Sequence, residues 1–299
     1  MKKNKNITWQ RLDSSSLDLN GWKVAVVGGT GGLGRAISKV LASRGASVSV
    51  VGQTFRDEGV ANLTFIKADL SLLREAQRVA KSLPAEQLDL VVFTTGIFAA
   101  SKRQETAEGL ERDMAVSYLN RLVMLRELAP RLGTGRTGER AKQKPRVFVM
   151  GYPGTDQAGT LGDLNAEQRY SAMAVHMNTV AGNEMLVLDG VKQYRHALFF
   201  GLNPGLIKTN IRDNFLGKGS FKSRFMESLI GLFTPTPDAY GARITPLLVS
   251  PDLEPNSGAM FNQKGEAILP SAKLADTAHV SRFLAESEAL IARVTASRE

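Results

Sequence analysis

The chain of 299 residues contains no cysteine and only three histidines, which lack the spacing of metal ligands. These absences exclude disulfides, thiolate catalysis and cysteine-ligated zinc, and we expect no metal site. No hydrophobic run reaches the roughly 18–20 residues that a membrane span requires. The first 20 residues also lack the apolar centre of a secretory signal. We therefore expect a cytoplasmic protein with an N-terminal tail (1–20) and a single domain (21–299).

The formal net charge of +9 raises the question of an acidic partner such as nucleic acid. The basic residues are spread along the chain, however, which argues against nucleic acid. We interpret their one local cluster as a solvated insertion between a helix and a strand. The alternative is that it attracts an anionic partner or the phosphates of a cofactor. The cluster consists of Arg136, Arg140, Lys142, Lys144 and Arg146.

Short apolar runs alternate with helical patterns along the chain. This alternation predicts an α/β fold, a single Rossmann-type domain with a doubly wound parallel sheet and helices on both faces. Ligands of such sheets bind where the carboxyl ends of the strands converge. The predicted strands are 23–27, 46–51, 63–67, 89–94, 146–150 and 197–202, and the predicted helices are 31–44, 70–82, 107–132, 166–190 and 276–296.

The first predicted strand leads into a glycine-rich turn and then into a helical pattern. Five glycines between positions 28 and 34 satisfy GxGxxG, GxxGxxG and GxxxGxG at once, so their spacing does not select a subfamily. Glycine lets backbone N–H groups at a helix start approach a pyrophosphate without a Cβ in the way. The segment predicts a dinucleotide site that includes Gly28, Thr30, Gly31, Gly32, Leu33 and Gly34.

The adenosine end of the predicted cofactor can be inferred from charge. NAD enzymes usually carry an acid about 20 residues after the glycines, bonded to the ribose 2′-hydroxyl. The segment 51–56 contains no acid, so a 2′-phosphate would meet no repulsion there. We predict NADP(H) rather than NAD(H), with the alternative that Arg56 is simply a surface charge. The candidate phosphate ligands are Arg35, Gln53, Thr54 and Arg56.

Several segments resemble the short-chain dehydrogenase/reductase family, over roughly residues 21–295. Ala68-Asp69-Leu70 resembles its adenine-contacting segment, and Phe93-Thr94-Thr95-Gly96 stands at its Asn-Asn-Ala-Gly position. Residues 203–209, Asn-Pro-Gly-Leu-Ile-Lys-Thr, resemble its Pro-Gly-x-x-x-Thr loop at the nicotinamide end. The segments 257–261 and 282–287 are similar to the retinol-dehydrogenase-like branch. The resemblance implies cofactor contacts from Asp69, Leu70, Thr95, Gly96, Pro204, Gly205, Ile207 and Thr209.

The catalytic positions depart from the pattern of that family, which combines Ser, Tyr and Lys with an Asn on an earlier helix. The lysine matters because a tyrosine near pKa 10 is a poor base at neutral pH without a neighbouring cation. Here Ser117 stands at the Asn position, and Gly151-Tyr152 stands at the Ser-Ser position. No lysine occurs between Lys144 and Lys192. Taking Tyr170, Ala174 or His176 as the tyrosine position places Ala174, Asn178 or Val180 at the lysine position.

Three functions are open from the sequence. The first is an atypical oxidoreductase that uses NADP(H) on a hydrophobic carbonyl or alcohol. The second is an NADP(H)-binding sensor without turnover, and the third is a non-redox cyclase or isomerase. A histidine could replace the tyrosine without a lysine, although a histidine on such a helix is often only a packing residue. The candidate catalytic residues are Tyr152, Tyr170, His176 and Ser117, with Asn178 or Asn183 bonding the ribose or the substrate.

The segment 221–233 is amphipathic and precedes the turn-prone Pro235-Thr236-Pro237. We interpret a region of about 211–237 as a lid over a pocket for a small hydrophobic ligand. The alternatives are a packing or dimer helix and a membrane-surface helix. The family resemblance implies oligomer contacts through the helices at 107–132 and 166–190, but the basic loop beside them leaves both a monomer and a homo-oligomer open.

Overall fold

The computed structural model describes residues 1–205 and 236–296. Within them, eight strands form one sheet in the order β3-β2-β1-β4-β5-β6-β7-β8. All neighbouring strands are parallel except β7 and β8. The strands are β1 (Lys23–Val27), β2 (Ser47–Gly52), β3 (Leu63–Lys67), β4 (Leu90–Phe93), β5 (Arg146–Met150), β6 (Leu198–Leu202), β7 (Met260–Phe261) and β8 (Ala267–Ile268).

Helices cover both faces of the sheet. A π-helical turn, Ala115–Leu119, joins two of them into one continuous rod. The helices are α1 (Gly32–Ser43), α2 (Leu73–Ser82), α3 (Arg112–Met114), α4 (Asn120–Leu128), α5 (Gly138–Ala141), α6 (Ala172–Gln193), α7 (Pro237–Val249) and α8 (Thr277–Ala296).

The alternation of side chains along each strand explains the two-sided core. In β1, Val24 and Val26 pack into the cluster on one face, while Ala25 and Val27 pack into the cluster on the other. Because every one of these side chains is buried, the strand appears in the sequence as a continuous apolar run. The doubly wound α/β fold predicted from the alternation is confirmed.

One departure from the predicted elements lies in the C-terminal third. The helix α7 was not predicted, because its opening prolines suggested a turn. Pro237 instead occupies the first turn, where its missing N–H is harmless, and the Thr236 hydroxyl caps the Ala239 N–H at 3.2 Å. The proposed lid lies outside the described residues apart from its last two positions, which open this helix.

The N-terminal residues lie along the edge of the sheet beside β8. Lys3 forms an antiparallel bridge with Ile268, and the Asn4 N–H donates to Ala267 O at 2.9 Å. Further along, Trp9 Nε1 donates to Gly265 O at 2.7 Å. The segment expected as a tail therefore extends the sheet at this edge.

The basic cluster lies at the amino ends of the strands. The Asp89 carboxylate, just before β4, pairs with Arg136 at 2.8 Å and with Arg140 at 3.1 Å. Arg146, at the start of β5, is buried and bonds to Leu248 O and Ser250 O. This edge is opposite the carboxyl ends, so the cluster is wrongly placed to bind the phosphates of a cofactor there.

No helix in the described part of the chain is long and apolar enough to cross a membrane.

Candidate active site

The glycine turn after β1 packs directly on the loop after β4. Gly28 has a φ of +90°, and a Cβ there would lie 2.6 Å from Thr95 N. The Thr94 hydroxyl donates to Val27 O at 2.9 Å, and a Cβ on Gly34 would clash with this hydroxyl. Larger residues at these positions would push the two loops apart. Glycine is therefore required here by the packing of the turn itself.

The start of α1 offers backbone N–H groups to an anion. Gly31 caps the helix without a side-chain hydrogen bond, and its first turn contains no acid. A Cβ on Gly31 would meet only Arg56 Nη1, at 3.9 Å. An uncapped helix start with open space before it favours a phosphate, through both the free donors and the helix dipole. The residues present therefore fit a dinucleotide, and Thr30, Gly32 and Leu33 are the residues that would hold its pyrophosphate.

The adenosine end shows a charge arrangement that the sequence did not reveal. Arg35 makes a bidentate pair with Asp57, whose carboxylate lies 2.6 to 3.0 Å from the guanidinium nitrogens. The hydrogen bonds from Arg35 hold the pKa of Asp57 below its usual value. Arg56 is exposed and donates to Thr30 O at 3.0 Å, beside the exposed Gln53. Of the two arginines considered for a 2′-phosphate, Arg35 is neutralised and Arg56 is not.

Asp69 lies where the chain leaves β3. Its carboxylate accepts from the Ser71 N–H at 3.0 Å and from the Ser71 hydroxyl at 2.7 Å. Burial alone would raise the pKa of Asp69, but hydrogen bonds from Ser71 and Gln53 outweigh burial and lower it. The next residue, Leu70, accepts at its carbonyl from Asn120 Nδ2 at 2.9 Å. Asp69 is therefore an ionised acceptor in a fixed loop.

The loop after β6 is also fixed by hydrogen bonds. Asn203 donates to Pro153 O at 2.8 Å and accepts from the Gly205 N–H at 3.0 Å. Gly205 has a φ of +66°, in the left-handed region that favours glycine. Pro204 and Gly205 are therefore held at the carboxyl end of the sheet. The predicted contacts Ile207 and Thr209 lie outside the described residues.

Two helices behind these loops each carry a stripe of polar side chains, and the two stripes face each other. On the rod formed by α3 and α4, Asp113, Ser117 and Arg121 recur every fourth residue, and on α6 His176 and Asn183 lie seven residues apart. His176 Nδ1 is 2.8 Å from Asp113 Oδ2. Asn183 Nδ2 donates to Ser117 O at 2.8 Å, and Arg121 donates to Asn183 Oδ1 at 2.8 Å. The stripes thus join the two helices through side-chain hydrogen bonds.

The Asp113–His176 pair has a defined orientation. Asp113 is fully buried and also accepts from the Ser117 hydroxyl at 2.5 Å, while that hydroxyl accepts from the Ile97 N–H at 3.0 Å. A carboxylate can only accept, so the proton of a neutral imidazole is assigned to Nδ1. The ring packs on Phe98 with centroids 4.4 Å apart and is 20% exposed. Among the described residues, no hydrogen bond occupies its Nε2.

A second carboxyl group lies beside this pair. Glu111 is buried, and burial together with the charge of Asp113 raises its pKa to about 7, against a hydrogen bond from the Met114 N–H. It borders a small cavity of about 70 Å³ between α3 and the loop after β4. The cavity is lined by Ile97, Phe98, Ala99, Ala100, Gln104, Glu111, Arg112 and Asp113.

Comparison with known proteins identifies the family of this chain. Residues 23–139 match the family model of the short chain dehydrogenases. A protein of Saccharomyces cerevisiae, named an uncharacterized oxidoreductase, is 49% identical over 97% of this chain and 94% of its own length. This chain belongs to the short-chain dehydrogenase/reductase family.

More distant relatives and solved structures are consistent with that membership. A Streptomyces protein provisionally named a daunorubicin C-13 ketoreductase is 26% identical over 69% of this chain and 71% of its own. A short-chain dehydrogenase/reductase from Serratia marcescens has the same fold, with a TM-score of 0.60 at 21% identity, over 83% of this chain and 98% of that one.

The remaining candidate residues of this short-chain dehydrogenase/reductase differ in their hydrogen-bond partners. Tyr152 follows β5 with a φ of +69°, and among the described residues no hydrogen bond joins its side chain to the Asp113–His176 pair. The Tyr170 hydroxyl donates to Ala100 O at 2.5 Å, and burial, with the charges of Glu111 and Asp113, raises its pKa. Asn178 Oδ1 accepts from the Thr160 N–H at 2.8 Å. Only His176 and Ser117 share a partner, Asp113.

Sequence reasoning missed Asp113, Arg121 and Glu111. A signal for two of them was present, because Asp113, Ser117 and Arg121 recur at helical spacing in an otherwise apolar stretch. Polar residues that repeat on one face of a buried helix need partners, which makes such a stripe worth following. Their partners on α6 could not be found from spacing.

Proposed function

We propose that this short-chain dehydrogenase/reductase is an oxidoreductase that transfers hydride between NADP(H) and a hydrophobic carbonyl or alcohol, with His176 as its acid and base. The observation that carries the proposal is the 2.8 Å contact between His176 Nδ1 and the buried Asp113. An imidazole held at one nitrogen by a carboxylate can exchange a proton at the other nitrogen. The site thereby has a proton-transfer group that needs no lysine.

The cofactor part of the proposal rests on the glycine turn and on the start of α1. Free N–H groups, without an acid in the first turn, suit the pyrophosphate. At the adenosine end, exposed Arg56 lies close to Gln53 and Thr54, and Asp57 is already paired with Arg35. This arrangement supports a 2′-phosphate and therefore NADP(H). The names of the relatives, an oxidoreductase and a ketoreductase, agree with hydride transfer.

In the reduction direction, the reduced nicotinamide, when bound beside the loops after β1, β4 and β6, would supply the hydride for the carbonyl carbon. The imidazolium of His176 donates its Nε2 proton to the carbonyl oxygen as negative charge develops there. Asp113 stabilises the imidazolium and fixes its orientation, and Ser117 holds Asp113 in place by its 2.5 Å hydrogen bond. In the oxidation direction, neutral His176 takes the proton from the alcohol.

The surroundings of His176 favour a hydrophobic substrate. Its ring packs on Phe98, in the loop after β4 that continues from Ile97 to Ala100. Tyr170 is committed to the Ala100 carbonyl, and its raised pKa makes it a weaker acid than an ordinary phenol. We therefore assign Tyr170 to the wall of the pocket rather than to proton transfer.

The test combines binding with turnover. Calorimetric titration of the purified protein with NADPH and NADH should show micromolar binding and a preference for NADPH. A panel of hydrophobic carbonyls and alcohols would then identify a substrate. With that substrate, His176→Gln should lower kcat by roughly 10²–10⁴-fold and leave the Kd of NADPH unchanged.

His279→Gln is the matched control, because His279 lies on α8 and its side chain bonds to the Ala158 carbonyl, with no other side-chain hydrogen bond among the described residues. This variant should retain full activity. Failure to bind either cofactor would refute the proposal. Tight NADPH binding without consumption across the panel would instead support the sensor, and full activity of His176→Gln would remove His176 from the mechanism.

A further inference from the structure

Arg121 is buried beneath the carboxyl ends of β4 and β5. Its guanidinium donates to Met150 O at 2.5 Å, to Asn183 Oδ1 at 2.8 Å and to Thr95 O. Its Nε also donates to the Thr95 hydroxyl at 3.5 Å, and all of these acceptors belong to neutral groups. Among the described residues, no carboxylate forms a hydrogen bond or ion pair with Arg121.

Other deeply buried arginines of the molecule have such a carboxylate. Arg136 pairs with Asp89 at 2.8 Å, and Arg146 approaches Glu254 at 3.4 Å. An isolated buried cation costs several kcal/mol unless something compensates it. Burial accordingly lowers the pKa of Arg121 to about 9, and Asp113 is the carboxylate that opposes this shift. The guanidinium still carries its charge at neutral pH.

This positive charge lies beside the loop after β4, and its acceptor Met150 pairs in register with Leu202, directly before the loop, beginning at Asn203, that the family resemblance assigns to the nicotinamide end. A Cβ on Gly96 would stand 3.8 Å from Arg121 Nη2 and 3.7 Å from the Ser117 hydroxyl, so the backbone here runs close to the guanidinium. Asp113 is two helical turns away along the rod, about 12 Å at 1.5 Å per residue. The Asp113 carboxylate approaches this loop through the Ser117 hydroxyl, which donates to it at 2.5 Å, whereas the guanidinium bonds to Thr95 O in the loop itself.

We propose that Arg121 is a fixed positive charge that makes the site bind the reduced cofactor more tightly than the oxidised one, and so favours carbonyl reduction. This inference rests on the proposed function. The oxidised nicotinamide ring is cationic and the reduced ring is neutral, so a nearby cation disfavours only the oxidised form. When hydride passes to the carbonyl carbon, the ring gains its positive charge and the oxygen takes a proton from His176.

Among the described residues, the charged groups near Arg121 and the Asp113–His176 pair include Glu111. The comparison is made at one pH, pH 8, so that the variants differ only in the substituted group. At this pH, Arg121→Met removes a positive charge near the site, and Asp113→Asn removes a negative one. They should shift the cofactor preference in opposite directions.

The experiment measures the Kd of NADPH and of NADP⁺ by calorimetry at pH 8. The wild-type protein should favour NADPH, and Arg121→Met should reduce that preference about tenfold, or about 1.4 kcal/mol. Arg121→Lys keeps the charge and should retain most of the preference. Asp113→Asn removes a negative charge without touching the bonds of Arg121 and should increase it.

The adenine half of the cofactor serves as the folding control. Binding of 2′,5′-ADP should be equal in all variants, because it does not reach the nicotinamide end. An unchanged NADPH preference in an Arg121→Met protein that binds 2′,5′-ADP would overturn the inference. If Arg121→Met does not fold, Asp113→Asn serves as the test. In that case, a preference for NADPH over NADP⁺ that does not rise in Asp113→Asn would overturn the inference.

The two proposals fail in different ways. A wild-type protein that binds neither cofactor overturns both of them. A protein whose cofactor preference follows the charge at position 121, but whose turnover ignores His176→Gln, supports Arg121 and refutes His176 as the acid. A wild-type protein that binds both redox forms equally refutes only the role of Arg121.

Discussion

The buried arginines at the two ends of the strands differ in whether a carboxylate pairs with them. At the amino ends, Asp89 neutralises Arg136 and Arg140, and it also accepts from the Lys23 N–H at 2.9 Å. At the carboxyl ends, Arg121 is bonded to neutral oxygens. One end uses its charges to hold loops together, whereas at the other end no carboxylate within residues 1–205 and 236–296 pairs directly with Arg121.

This difference shows how the same residue type serves stability at one place and binding at another. The carboxylate beside a paired arginine cancels most of its electrostatic effect on a ligand. An arginine without such a partner acts on the ligand with its full charge. Net charge therefore says little about where this protein binds an anion or a cofactor. The strongest local cluster of basic residues in the sequence lies at the end without the site.

The largest effect on the free energy of unfolding is expected from Asp89→Ala. This change would leave a buried arginine without a carboxylate partner at the amino ends, as at the carboxyl ends. Arg136, with 5% of its side chain exposed, would lose its counterion. Leaving a buried charge unpaired typically costs about 3–5 kcal/mol in the free energy of unfolding. Denaturant titration should show that loss, and NADPH affinity of the folded fraction should be unchanged.

Lys142→Ala provides the control for Asp89→Ala, because its ion pair with Glu139 is highly exposed. Such pairs contribute about 0–1 kcal/mol. Equal stability losses in the two variants would contradict the view that the amino-end charges are structural.

A smaller effect, of opposite sign, is expected from Glu111→Gln at the carboxyl ends. Burial raises the pKa of Glu111 to about 7 from its ordinary 4.5, so the folded protein holds this proton more tightly than the unfolded chain. The free energy of unfolding should therefore fall as pH rises from about 4.5 to 7. At pH 8, Glu111→Gln should be about 2–3 kcal/mol more stable than wild type, with no gain at pH 4.

The profile of the free energy of unfolding against pH tests this prediction. Glu58→Gln changes an exposed carboxylate and should leave the profile as it is. A pH-independent gain in Glu111→Gln would show that the effect comes from packing rather than from ionisation.

The smallest effect is expected at the adenosine end, from Arg56→Ala. Arg56 is exposed, so water and salt weaken its interaction with a 2′-phosphate. We expect the ratio of NADH Kd to NADPH Kd to fall about tenfold, with NADH binding unchanged. Arg74→Ala, also exposed, is the control. Unchanged discrimination in Arg56→Ala would make Arg56 a surface charge only.

The fold could be predicted from the sequence because its strands are buried on both faces. Six apolar runs gave six strands whose ends differ by one residue at most. The short strand β8 has only two residues, which is too few for a periodic pattern, and α7 was concealed by prolines that start a helix rather than a turn.

The site was less accessible to sequence reasoning. The glycine turn is a local motif, so its residues could be named from spacing. The partners of His176 and Asn183 come from a helix more than 50 residues earlier, and their contacts depend on how two helices pack. Asp57, one residue beyond the segment considered, shows that a boundary chosen by motif can hide a neutralising charge.

The N-terminal arm has a consequence for the solution behaviour of the protein. A strand at the edge of a sheet offers unpaired N–H and C=O groups to other chains, which promotes aggregation. Residues 2–4 pair with residues 267–269 at this edge. Lys3 Nζ also lies 2.8 Å from Glu266 Oε1, which places a charge there. Truncating the arm would therefore expose a β8 edge that could recruit other copies of the chain, even if the catalytic residues remained intact.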